Sequence, residues 1–106
     1  MKLFSDSWLV VIYDTSQTDE ELREYILSLK NVKYAVFQRQ KINGKEHINL
    51  FICFTRLRKF LTIKRYFPNS RIEWTINDIA LNKMYIEKDK ISRVVEVKKN
   101  NSKAVT

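Results

Sequence analysis

A single glycine serves the whole chain, and it directly follows an asparagine, as Asn43-Gly44. Both residues tolerate positive φ, which makes this pair the strongest short hairpin signal a sequence carries. It separates Val32–Gln40 from Lys45–Thr55, two runs rich in β-branched and aromatic residues. With Asn43 and Gly44 as the turn, Gln40 falls opposite His47 and Gln38 opposite Asn49. Cross-strand partners project to one face, so these four polar side chains gather there, followed by Val36 with Phe51 and Tyr34 with Cys53. The other face carries Ala35, Phe37, Ile48, Leu50, Ile52 and Phe54 and reads as core.

The remaining elements arrange themselves around this hairpin. Trp8–Tyr13 is a continuous apolar run, the signature of a buried central strand. Thr18-Asp19-Glu20-Glu21 matches a capping box. Leu22, Tyr25, Ile26 and Leu29 then follow at the spacing of one helix face. Leu57–Phe67 reads as a basic amphipathic helix ended by Pro68-Asn69, and Arg71–Thr75 as a short strand. Asn77 is expected to cap a third helix running to about Asp89, with Leu81, Tyr85 and Lys88 on one face. The order β-α-β-β-α-β-α predicts an α+β fold: a ferredoxin-like or RRM-like antiparallel sheet flanked by helices. Residues 1–97 are read as one domain and 98–106 as a polar, disordered tail.

Composition narrows the chemistry. Twenty Lys and Arg against twelve Asp and Glu leave a net charge of +8 on 106 residues, which favours a polyanionic partner such as nucleic acid. One glycine is too few for a P-loop or a dinucleotide-binding loop. Cys53, the only cysteine, excludes an internal disulfide and a thiolate zinc cage, and its apolar strand makes it a small core residue. The sequence shows neither a membrane-spanning apolar run nor a signal peptide, so an intracellular protein is expected.

Three segments together resemble the HUH endonuclease domain of replication-initiator (Rep) proteins of circular single-stranded-DNA viruses and related rolling-circle plasmids. Val10-Val11-Ile12-Tyr13-Asp14-Thr15 matches an apolar strand ending in a polar turn. His47-Ile48-Asn49 matches a His-hydrophobic-His or His-hydrophobic-Gln strand, and Tyr85-Ile86-Glu87-Lys88-Asp89 matches Tyr-x-x-Lys with a following acid. The likeness spans roughly residues 8 to 95. Two positions depart from the family pattern: Asn49 stands where His or Gln is usual, and Gln40 where a glutamate usually sits.

The resemblance implies a metal-dependent transesterase. Tyr85 would be the nucleophile and Lys88 its helper, with Mn²⁺ or Mg²⁺ held by His47, Asn49 and Gln40 and supplemented by Asp89. The substrate would be single-stranded DNA at a replication origin, with a helicase domain absent from this chain as partner and no membrane. The site of action would be the host nucleus for a eukaryotic virus, or the cytoplasm for a bacterial plasmid. Arg39, Lys41, Arg56, Arg58, Lys59, Lys64, Arg65 and Lys83 are the expected phosphate-backbone contacts, with Trp74 and Phe37 as base-stacking candidates. Two other readings fit the same residues: a non-catalytic single-stranded nucleic-acid-binding module on this fold, and a protein-interaction domain whose charge is incidental.

Overall fold

The Asn43-Gly44 turn closes the central hairpin with φ of 54° and 80°, the left-handed pair that a twisted two-residue turn requires. A computed structural model of the chain describes residues 3–87 and 93–98. Within them lie β1 (Phe4–Ile12), α1 (Asp19–Ser28), β2 (Val32–Ile42), β3 (Lys45–Lys59), α2 (Phe60–Tyr66), β4 (Ser70–Trp74), α3 (Ile79–Ile86) and β5 (Val94–Lys98). The strands form one antiparallel sheet in the order β4-β1-β3-β2-β5. Its first four strands, with α1 and α2, give the expected ferredoxin-like α+β arrangement. Among the described residues no helix is long and apolar enough to cross a membrane.

The hairpin register is the predicted one: Gln40 pairs with His47, Gln38 with Asn49, Val36 with Phe51 and Tyr34 with Cys53. Side chains alternate across a strand, so this register decides what lies on each face. Trp8, Val10 and Ile12 of β1 join Ala35, Phe37, Ile48, Leu50, Ile52 and Phe54 beneath α1 and α2 in the main core. Leu22, Ile26 and Leu29, and also Ile63 and Phe67, close that core from above. The opposite face packs Tyr34, Val36, Phe51 and Cys53 against Ile86 of α3. The capping box at α1 forms in full: Glu21 N donates to Thr18 Oγ1 (3.1 Å) and Thr18 N donates to Glu21 Oε1 (2.9 Å).

Several elements differ from the sequence expectation. The α2 helix starts at Phe60 rather than Leu57, because β3 stays paired with β1 out to Phe4–Lys59 and Phe60 N still bonds Leu3 O (2.8 Å). The α3 helix is capped by Asp78, whose carboxylate accepts from Leu81 N (3.0 Å), while Asn77 donates instead to Asp6 (3.1 Å). It ends at Ile86, short of the expected Asp89. A further difference is β5, absent from the predicted order, which pairs with β2 and takes in Lys98, a residue assigned to the tail.

Candidate active site

Cross-strand pairing lays out the α3-side face in rows. One row runs Arg71 (β4), Val11 (β1), Asn49 (β3), Gln38 (β2). The next, toward the hairpin, holds His47 and Gln40, with the Tyr13 ring set edge-on to His47 at 5.2 Å. α3 covers the part of this face beyond Asn49, at Phe51 and Val36, through the buried side chain of Ile86. Tyr85, half exposed, sits beside Ile86 at the end of the helix. A small cleft is lined by Asn49, Arg71, Glu73, Tyr85 and Ile86, together with Leu9 and Val11 of β1. Asn49 and Tyr85, distant in sequence, therefore share one wall.

The polar cluster is internally bonded. Gln40 Nε2 donates to Gln38 Oε1 (2.9 Å) and to the Ile86 carbonyl (3.3 Å), and Asn49 Nδ2 donates to Gln40 Oε1 (2.6 Å). Gln38 is fully buried, so its side chain depends on such partners. His47 differs: its Nδ1 is buried and has no hydrogen-bond partner among the described residues, although the residue as a whole is partly exposed.

The donor chemistry fits Mn²⁺ or Mg²⁺ only in part. His47 and Asn49 are partly exposed, whereas Gln40 Oε1 is committed to the Asn49 amide. Among the described residues no cluster of three His, Cys, Asp or Glu side chains is placed to hold a metal. Hard cations favour carboxylates, and a ligating histidine ordinarily donates its second N–H to an acceptor. Two neutral ligands and an unpartnered Nδ1 make a weak site. Lys88 and Asp89, expected to help the tyrosine and the metal, lie outside the described residues.

Several expected DNA contacts have other tasks. The Arg39 side chain shares the α1 face with its cross-strand partner Ile48, away from the His47 patch. Its guanidinium bonds Asp19 (2.8 Å), Thr15 O (3.2 Å), Gln17 O and Glu46 (3.4 Å), tying β2 to the start of α1. Arg39→Ala is expected to cost about 1–3 kcal/mol in urea unfolding while leaving the salt dependence of oligonucleotide binding nearly unchanged. Arg58 packs over Phe54 and Tyr66 and donates to the Tyr66 hydroxyl (2.5 Å). Lys64 donates to Ser70 O (2.6 Å). Trp74 pairs with Trp8 and so projects to the face opposite Arg71 and Glu73, away from the cleft. Phe37 is fully buried and offers no stacking surface. Lys41, Arg56, Lys59 and Arg65 are exposed, as a phosphate contact requires.

Lys83 belongs to an anchor for α3. Its ammonium lies 3.2 Å from Glu96 and 3.6 Å from Glu87, and Tyr34 Oη donates to the same Glu96 carboxylate (2.5 Å). The Tyr34 hydrogen bond, followed by Lys83, holds the Glu96 carboxyl below its ordinary value. Hydrogen bonding to Glu96 raises Lys83, and burial foremost raises Tyr34. A lowered carboxyl pKa stabilises the fold above the unfolded value of about 4.3, and that contribution fades as pH falls through the lower folded value. Protection factors of the α3 amides, taken relative to the intrinsic exchange rate at each pH, are expected to fall below about pH 4. Glu96→Gln should flatten that acid response.

Cys53 is core, as expected, and burial pushes its thiol up to about 11, which removes it as a nucleophile at neutral pH. Sequence reasoning missed Arg71, Tyr13 and the Ile86 carbonyl. Strand alternation marks Arg71 and Glu73 as facing together, but only the β1–β4 pairing puts Arg71 in the row of Asn49. Compared with family models and with curated proteins, the chain matches none.

Proposed function

We propose that this chain is a tyrosine-nucleophile endonuclease of the replication-initiator type, which nicks and rejoins single-stranded DNA at a rolling-circle origin. The observation that carries this reading is convergence: Tyr85 and Asn49 line one cleft, with His47 and Gln40 in the adjoining row. Tyr85 Oη attacks the scissile phosphorus, forming a P–O bond to the phenol and breaking the P–O3′ bond. The phenolic proton leaves to solvent, and the departing 3′ oxygen takes one up as a hydroxyl. One phosphodiester replaces another, so the same 3′-hydroxyl can reverse the step and reseal the strand.

Arg71 is the cleft's cation. Its bond to Glu73 (3.3 Å) joins two exposed side chains and is worth little, so a phosphate can replace it. The His47 and Asn49 side chains face the same side of the sheet. A divalent cation held loosely by these two would polarise the phosphate. Gln38 holds Gln40, and Gln40 in turn accepts from the Asn49 amide, which fixes how that side chain is turned. The charge of +8 supports steering toward DNA. A cellular site of action and a helicase domain supplied from elsewhere go with this reading.

The amide-rich, carboxylate-poor patch also suits the rival reading, a binding module without chemistry. A 5′-labelled and a 3′-labelled single-stranded oligonucleotide pool, each incubated with protein and Mn²⁺, separates the two on a denaturing gel. The nuclease leaves the 3′-labelled fragment on the protein and releases the 5′-labelled one. The binding module yields neither product.

A further inference from the structure

We propose that Gln40 is a positioning residue that fastens the Tyr85 end of α3 to the His47–Asn49 strand, and is not a metal ligand. The consequence for catalysis rests on the nuclease reading above; the mechanical role does not. Both N–H groups of the Gln40 amide and its oxygen are accounted for, on three different elements. Nε2 reaches Gln38 on its own strand (2.9 Å) and the Ile86 carbonyl of α3 (3.3 Å), and Oε1 accepts from Asn49 of β3 (2.6 Å). These partners fix the amide's orientation. Turned over, it would set its oxygen against the oxygens of Gln38 and Ile86 and its NH₂ against the NH₂ of Asn49.

Ile86 is the last residue of α3, and its carbonyl is among those that a helix end leaves without an intrahelical partner. Gln40 supplies that partner one residue from Tyr85. An eight-residue helix has little stability of its own. α3 is held by the buried Ile86 and Asn82 side chains, by the Lys83–Glu96 contact, and by this amide. Among the described residues, the Gln40 amide bonds both the nucleophile's helix end and Asn49. It therefore sets how far Tyr85 stands from the phosphate-binding side chains.

A carboxylate at this position gives the two roles opposite signs. As a ligand, Gln40→Glu would supply the missing negative charge and tighten metal binding. As a strut, it loses both donors and points anionic oxygens at two carbonyl oxygens. Three readouts on the full chain decide: Mn²⁺ affinity by electron paramagnetic resonance, amide exchange at Ile86 and Glu87, and adduct formation with excess oligonucleotide. The strut predicts Mn²⁺ affinity within about twofold of native and exchange faster by on the order of tenfold. It also predicts a fall in kcat with KM unchanged. Gln40→Met, of similar length and uncharged, should speed exchange and lower kcat in the same way, which keeps the test open if the glutamate variant folds poorly. Mn²⁺ bound tenfold or more tighter by Gln40→Glu, or unchanged exchange in Gln40→Met, overturns the proposal. A native protein that forms no adduct defeats the nuclease reading, while the exchange data still decide the role of Gln40.

Discussion

Tyr85→Phe is expected to abolish the covalent protein–DNA adduct, a loss of at least about a thousandfold, because the only atom removed is the attacking oxygen. Binding of single-stranded DNA should persist, with the same dependence on salt, since the +8 charge that drives it is untouched. Tyr85 is half exposed and the phenyl ring keeps its packing, so unfolding in urea should shift by no more than about 0.5 kcal/mol. That combination of lost chemistry with retained affinity and stability separates a nucleophile from a packed aromatic. Equal adduct yields from Tyr85→Phe and the native chain would move the chemistry to another residue or remove it from this site.

The largest stability effect is expected at the other face. Trp8 is fully buried at the centre of the main core, packs on Phe60 with ring centroids 6.2 Å apart, and donates Nε1–H to Ser5 O (2.9 Å). Trp8→Ala removes the bicyclic ring and leaves a carbonyl without its donor in a buried part of β1. The cost should be about 3–5 kcal/mol, a large share of the roughly 5–15 kcal/mol that holds a small domain together. Equilibrium urea unfolding followed by circular dichroism measures it. A cost under about 1 kcal/mol would mean that the core repacks around the gap.

The sequence disclosed most where one local rule decides a long-range outcome. Asn43-Gly44 sets the hairpin register, and the register puts Gln40, His47, Gln38 and Asn49 on one face. The capping box and the Leu22–Ile26–Leu29 stripe were legible for the same reason, since both depend on neighbours within two helical turns. Less was legible where an element's fate depends on a distant strand. Leu57–Lys59 carries helix-compatible residues, yet pairing with Phe4 and Ser5 keeps it extended. β5 is five residues long, and its alternation of Val95 and Val97 with Glu96 and Lys98 gains meaning only against β2.

The candidate site divides along the same line. Which residues share a face followed from strand period, whereas what each polar group bonds to did not. The resemblance implies a ligand role for Gln40, and strand register puts it opposite His47, but its hydrogen bonds to Gln38, Asn49 and Ile86 O depend on where α3 ends. Arg39 looked like a free cation because it borders the hairpin. It faces α1 because its position on β2 is one residue out of phase with Gln38 and Gln40.

The most direct test is to incubate the protein with a randomised single-stranded DNA pool and Mn²⁺, digest with protease and nuclease, and sequence the modified peptide by mass spectrometry. The account predicts a nucleotide remnant joined through its 5′-phosphate to Tyr85, in a yield that grows with time and falls in the presence of EDTA. Salt-sensitive binding with every tyrosine unmodified would contradict it, and would leave the His47 patch as the floor of a binding surface.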